Sequence, residues 1–246
     1  MPKSATFRFY EELNDFLPEN KRKVAFEHSF RGNPTVKDMI EALGVPHAEV
    51  DLILVNGESV TFNHILRDQD YVSVYPVFES VDLSGFTHLR EKSLRQTKFI
   101  LDVHLGKLVK YLRMLGFDSI YRNDYSDKEI IDISISAHRI ILTRDVGLLK
   151  VGAVTHGYFV RSQKPKEQLK EVLKRFDLYK SIRPFNRCIS CNQPLERVSR
   201  EDILEQLQPL TSKYFNEFFR CTGCGKVFWE GSHFERMKDF IAGITG

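Results

Sequence analysis

Cysteine is scarce in this chain. Among 246 residues there are four, Cys188, Cys191, Cys221 and Cys224, and they form two CxxC pairs and nothing else. No apolar run approaches the roughly 18–20 residues of a membrane span, which excludes a membrane-crossing helix. The opening MPKSATFRFYEELND has neither the apolar core nor the small-residue cleavage site of a secretory signal. Pro2 rather than glycine follows Met1, so N-terminal acylation is excluded too. These absences point to the cytoplasm. No internal repeat and no low-complexity tract is visible. What is present, 42% hydrophobic and 28% charged residues, is a globular composition and excludes a disordered chain. At the usual ~100–200 residues per domain, the length allows one large unit or two modest ones.

Charge favours two. Residues 1–79 carry 8 Lys and Arg against 13 Asp and Glu, and the rest of the chain 28 against 20. An acidic unit is joined to a basic one, and the basic one is a candidate for binding a polyanion. An ordinary solvated surface of the same composition is the competing reading.

The acidic part has a clear rhythm. ATFRFY (5–10) alternates as a strand does, and KVAFEHSF (23–30) is a second strand. Thr35 and Asp38 resemble a capping box opening the helix VKDMIEALG, which Gly44 stops. DLILVNGESV (51–60) is a third strand ending in an Asn-Gly turn signal, and DYVSVYPVF (70–78) is a fourth. This order, with the phrases FYEELNDFLP and LVNGESV, resembles the β-grasp, ubiquitin-like family and its small sulfur carriers. Those carriers act through a free Gly-Gly tail. Here the last strand runs on as VFESVDLSG, so carrier chemistry is not implied. The resemblance leaves a docking or regulatory module, with a protein partner, beside a purely structural appendage.

Residues 80–98 read as a basic linker broken by Gly85. From 99 onward strands alternate with helices. FILDV, DSIYRN (118–123), HRIILTRD (138–145) and GYFVRS (157–162) are strands. LGKLVKYLRML, DKEIIDISISA after Ser126, and PKEQLKEVLKRF are helices. That alternation predicts a parallel, three-layer α/β sheet.

In such sheets ligands bind beyond the carboxyl ends of the strands. Asp102 and Asp145 each end an apolar strand, and Asp127 lies in the first turn of a helix. Three carboxylates at one sheet edge suit a hard divalent cation, which can drive phosphodiester cleavage. Taken singly, Asp127 reads as a helix-start residue and Asp102 as a cap. The stretch FILDVHLGKLVKYLRMLGFDSIYRNDYSDKEII, followed by HRIILTRDVGLL, resembles the Mut7-C ribonuclease family, a branch of the PIN-like nucleases. The resemblance implies a ribonuclease site of Asp102, Asp127 and Asp145 holding Mg2+ or Mn2+. It also implies a fourth acidic residue, for which Asp118, Asp124 and Glu129 are candidates, Asp124 the weakest.

The two CxxC pairs, RCISCNQPL and FFRCTGCGKVFWEGSHFERM, bracket a 29-residue spacer containing SREDILEQLQPL, which has helical spacing. Four thiolates in two knuckles suit tetrahedral structural zinc with no open position for catalysis. The Mut7-C family carries a similar ribbon after its nuclease domain. Lys107, Lys110, Arg113, Arg122 and Arg144 flank the acidic positions and are candidates to meet phosphates. Arg113 also reads as a structural ion-pair partner. His233, within GSHFERM, is a candidate RNA contact or a packed histidine. Phe185, Tyr214, Phe218 and Phe219 suit base stacking, but aromatics beside a small zinc module more often form its core.

The sequence therefore predicts a β-grasp domain at 1–79, a linker at 80–98, a PIN-like α/β nuclease domain at 99–182 and a zinc ribbon at 183–246. The expected function is metal-dependent endonucleolytic cleavage of RNA. The alternative class is a non-catalytic RNA-binding or adaptor protein, and DNA cleavage is not separated from RNA cleavage by phosphate-directed contacts.

Overall fold

The computed structural model describes residues 2–76, 97–207, 211, 214–229 and 231–245. Almost all of the sequence-predicted linker 80–98 lies outside the described residues. In chain order the elements begin with β1 (Lys3–Phe9), β2 (Phe26–Phe30), α1 (Val36–Ala42), β3 (Val50–Val55), β4 (Glu58–Ser59) and β5 (Tyr71–Pro76). There follow β6 (Lys98–Leu101), α2 (Gly106–Met114), β7 (Asp118–Ile120), α3 (Asp127–Ser136), β8 (Ile140–Thr143), α4 (Val146–Leu149), β9 (Gly157–Phe159) and α5 (Pro165–Arg175). The chain ends with β10 (Leu195–Val198), β11 (Phe218–Cys221), β12 (Val227–Trp229) and α6 (Ser232–Thr245). Packing divides it into two compact units, Met1–Gln96 with Asp127–Phe159, and Thr97–Ser126 with Val160–Gly246.

In the first unit, alternation along β1 sends Ala5, Phe7 and Phe9 inward, while Thr6 and Arg8 stay partly exposed. β1 runs parallel to β5, with Phe7 opposite Val72, and antiparallel to β2. β3 pairs antiparallel with β4 and β5, giving a five-stranded sheet of order β2-β1-β5-β3-β4. Helix α1 covers its inner face through Val36 and Ile40, which pack with Phe7, Ile53 and Val74. The capping box is present: Thr35 Oγ1 accepts from the Asp38 amide at 3.1 Å, and Asp38 accepts from the Thr35 amide at 2.9 Å. The Thr35 hydroxyl, which donates to Asp38 Oδ2 at 2.7 Å, and then the Thr35 amide hold the Asp38 carboxyl below its ordinary pKa. Asn56 and Gly57 have φ of 51° and 89°, as the tight turn between β3 and β4 requires. This is a β-grasp domain. The same unit contains α3, β8, α4 and β9. β8 is buried along its whole length and pairs in parallel with β9, Leu142 opposite Tyr158.

In the second unit β6 and β7 are parallel, Phe99 opposite Ser119. Phe99, Ile100 and Leu101 are fully buried. Helix α2 buries Leu108, Val109 and Leu112 and exposes Lys107 and Lys110. Helix α5 starts at Pro165 and buries Leu169, Val172 and Leu173, and Phe176 just beyond it meets Phe99 edge-on at 5.6 Å. β10, β11 and β12 form a separate antiparallel ribbon. Two elements go beyond the sequence expectation, the single-turn α4 and the C-terminal α6. One falls short of it. Within SREDILEQLQPL the described residues 199–207 hold a 3-10 turn over Glu201–Gln206, in which Ile203 alone is buried and the Asp202 amide donates to Ser199 Oγ at 3.3 Å.

Candidate metal sites

The four cysteines sit on two copies of one backbone device. After Cys191 the chain turns through Asn192 at φ 72°, and the Asn192 amide donates to the Cys188 carbonyl at 2.9 Å. After Cys224 it turns through Gly225 at φ 70°, and the Gly225 amide donates to the Cys221 carbonyl at 3.1 Å. Only glycine and asparagine take this left-handed conformation readily. Each knuckle thereby aims two sulfurs at a common point. Sγ of Cys191 and Cys221 are 3.2 Å apart, those of Cys188 and Cys224 3.7 Å, and all four lie within 4.8 Å of one another. Tetrahedral bonds of ~2.3 Å to zinc demand sulfur separations of about 3.8 Å, so the set fits such an ion. The amides of Gly223 and Cys224 both point at Cys221 Sγ, at 3.4 Å. Burial pushes the Cys188 thiol up to about 12, and a cation bound there would supply the charge that deprotonates it. Four thiolates around one divalent cation would make a closed site of net negative charge.

Arg113 answers part of that charge. It is 5% exposed, and its Nη1 donates to the carbonyls of Ile189 and Ser190, at 3.1 and 2.8 Å, inside the first knuckle. Its Nε donates to the Ser119 carbonyl at 2.9 Å. Burial lowers its pKa, and Cys191, Cys188 and Asp118 pull it back up. In place of the expected phosphate contact, Arg113 takes the structural role that was its other reading: its Nε and Nη1 are held by backbone carbonyls inside the fold. Asp118 is corrected in the same way. Its Oδ1 accepts from Asn192 Nδ2 at 2.8 Å and its Oδ2 pairs with Arg187 at 3.4 Å, so it fastens the knuckle to β7 and is not a free fourth ligand. Asn192 Oδ1 also accepts from the Ser119 amide at 2.9 Å. Asn192 had no place among the sequence candidates, although the asparagine directly after CxxC was its signal. Arg113→Met keeps the stem and orphans three carbonyls. It should cost about 1–3 kcal/mol, read as a lower thermal midpoint at unchanged zinc content.

The carboxylates are placed as follows. Asp102 follows β6, is 5% exposed, and stands at the head of a 3-10 turn, Val103–Leu105, which its side chain does not cap. Tyr121 holds that turn: its hydroxyl donates to the Val103 carbonyl at 3.0 Å. A Cβ at Gly106 would lie 2.6 Å from that hydroxyl, which explains the glycine. Asp145 follows β8 and is exposed. Its Oδ1 accepts from the Gly147 amide at 2.7 Å, capping α4, and its own amide donates to Thr143 Oγ1 at 2.8 Å. Asp127 is the exposed first residue of α3. Asp102 belongs to one compact unit, Asp127 and Asp145 to the other. Their oxygen donors have the hard chemistry that Mg2+ and Mn2+ prefer. Of the other candidates for the fourth position, Asp124 is fully exposed and tied to Arg122 by bonds of 2.8 and 3.0 Å, which lower its pKa. Glu129 lies in the first turn of α3.

Lys107 projects into solvent from α2, and the Arg144 guanidinium lies 6.0 Å above the Phe159 ring. His233 belongs to α6, and its side chain lies outside the described residues. Among the aromatics, Phe218 is fully buried and belongs to the ribbon core, whereas Tyr214 is 67% exposed. Phe185, Phe219, Phe228 and Trp229 line an apolar cavity of about 250 Å³ beside the ribbon. No helix among the described residues is long and apolar enough to cross a membrane.

Parallel α/β pairs with a carboxylate after β6 and after β8, a β-grasp domain and a double knuckle of four cysteines that could bind a structural metal define a mixed α/β protein. Residues 97–241 match the Mut7-C RNAse domain and residues 2–82 the Mut7-C ubiquitin domain. The chain belongs to the Mut7-C RNAse domain family. No curated protein matches it. Part of the chain is similar to the crystal structure of SAMP1 from Haloferax volcanii, at 17% identity over 32% of this chain and 99% of that one, with a TM-score of 0.26.

Proposed function

We propose that this protein is a cytoplasmic, metal-dependent endoribonuclease. Asp102, Asp127 and Asp145 hold Mg2+ or Mn2+, while the four cysteines hold structural zinc. The observation that carries the reading is that Asp102 and Asp145 each stand directly after a buried parallel strand, inside the span that matches the RNAse family. When bound, the divalent cation activates water and offsets charge developing on the phosphate. The protein's own part is to orient carboxylates and to meet the RNA backbone, for which Lys107, Arg144 and His233 are the proposed contacts. The β-grasp domain is the proposed docking element for a protein partner. Incubation with total cellular RNA, with and without Mn2+, followed by mapping of new ends, tests the proposal. Discrete new ends that require Mn2+ are expected, and an RNA profile indifferent to Mn2+ would refute it.

The cap bond from Gly147 to Asp145 favours a second reading, a non-catalytic RNA-binding adaptor, because it gives that carboxylate a structural task. An adaptor would bind zinc tightly and show no functional response to titrated Mg2+ or Mn2+.

A further inference from the structure

The β-grasp domain is fastened to the segment that carries Asp145. Asp145 caps the N-terminal end of α4, and Lys150 stands at the other end. Lys150 Nζ donates to the carbonyl of Glu41, in the last turn of α1, at 2.9 Å. Four helical residues span only about 6 Å, so a clamp on one end of α4 constrains the other. Beyond α4, the Val154 carbonyl accepts from His47 Nε2 at 2.9 Å. His47 Nδ1 then shares a proton with the Glu41 carboxyl at 2.6 Å, and burial pushes the imidazole below its ordinary pKa. Further on, the Phe159 amide in β9 donates to the Glu49 carboxylate. The Phe159 ring meets Phe16 edge-on at 5.6 Å, and the Arg144 guanidinium lies 6.0 Å from the same ring. A Cβ at Gly157 would lie 3.6 Å from Ala48 Cβ.

His47 is 6% exposed and Glu49 fully buried. Sequestering two polar side chains in a seam costs desolvation that only lasting partners offset. Their partners are backbone groups of the stretch 154–159, and Lys150 adds a third tie. These contacts flank the Asp145 loop on its C-terminal side. An independent docking module on a tether would have no use for them.

We infer that the β-grasp domain is a fixed in-chain buttress that positions the Asp145 carboxylate. The inference rests on the nuclease reading above, and goes beyond it by making residues 41–49 positioning residues of the metal site. In the full chain, Ala48→Arg forces a long cation into the seam opposite Gly157, and Lys150→Met removes one tie while keeping the stem. In Ala48→Arg the Phe159 amide should exchange with solvent at least about tenfold faster, with Phe7 and Val72 of the β-grasp core unchanged. The Mn2+ concentration for half-maximal RNA cleavage should rise about tenfold or more. Lys150→Met should shift the Mn2+ response in the same direction, and Lys150→Arg should restore it. Full protection of Phe159 in Ala48→Arg would overturn the docking. Faster exchange with an unchanged Mn2+ response, in Ala48→Arg and Lys150→Met alike, would overturn the buttress. If the wild type itself ignores Mn2+, the nuclease reading falls and the buttress falls with it, while the Phe159 amide still reports whether the domains are fastened.

Discussion

Asp145→Asn is expected to lower RNA cleavage by more than about a hundredfold, because even the outer partners of metal ligands cost about 10–100-fold when removed. The fold should be unharmed. Asparagine caps a helix as well as aspartate does, so the bond from the Gly147 amide survives the change. What disappears is one negative charge. If the three carboxylates share a cation as proposed, they repel one another when it is absent, so the thermal midpoint without metal should hold or rise. Asp145→Ala separates the two tasks: it loses the charge and the cap together, and should lose about 0.5–2 kcal/mol of stability besides activity. Asp102→Asn should lower cleavage as Asp145→Asn does, and the Asp102 side chain does not cap the 3-10 turn it heads. Asp127→Asn should add a helix-start penalty of about 0.3–1 kcal/mol. RNA binding should persist or tighten in all three, because less negative charge faces the phosphates. The paired measurement is cleavage rate across a Mn2+ series and thermal midpoint without metal. Wild-type rates in Asp102→Asn and Asp145→Asn would end the nuclease reading and leave the adaptor.

The features legible in the sequence were those written in short-range chemistry. The Thr35–Asp38 box and the Asn56-Gly57 turn are set by residues a few positions apart, and the alternation of ATFRFY is a local pattern even though its strand pairs with the distant β2 and β5; each appears where expected. CxxC spacing is equally local, and the four sulfurs converge. Helix α4 escaped notice because four residues complete barely one turn and show no period. The partners of Arg113 and Asp118 were hidden for a different reason. Their partners Ser190 and Asn192 lie 77 and 74 positions away, and a charge beside an acidic motif looks free until the fold supplies its partner. The ties of Glu41, His47 and Glu49 are longer still, spanning more than a hundred residues. No periodicity encodes such a seam. A buried glutamate in the stretch HAEVDL was the one available hint, and burial is not readable from a single sequence.

Cys191→Ser is expected to strip the protein of zinc and to unfold the double knuckle, leaving the β-grasp domain in place. Structural zinc contributes apparent binding free energies of about 10–16 kcal/mol to small modules, far more than so short a ribbon gains from its own core. Cys188 and Cys221 are buried, and burial pushes the Cys188 thiol up to about 12, so the knuckle has little to hold its sulfurs together without the cation. The loss should spread along a defined path. Asn192 and Arg113 join the first knuckle to β7 and α2, and the Arg183 amide donates to the Leu115 carbonyl just before Gly116. Amides at 113–120 should therefore lose exchange protection together with 188–229, while those at 3–9 and 71–76 should not. A chelator should reproduce the pattern in the unmodified chain, reaching the exposed Cys224 first. RNA cleavage should fall only as far as α2 and β7 loosen, because a closed four-sulfur site has no position left for a reacting oxygen. Metal content by mass spectrometry and hydrogen exchange on the same sample decide the matter: a Cys191→Ser protein free of zinc yet protected throughout 188–229 would remove the zinc assignment.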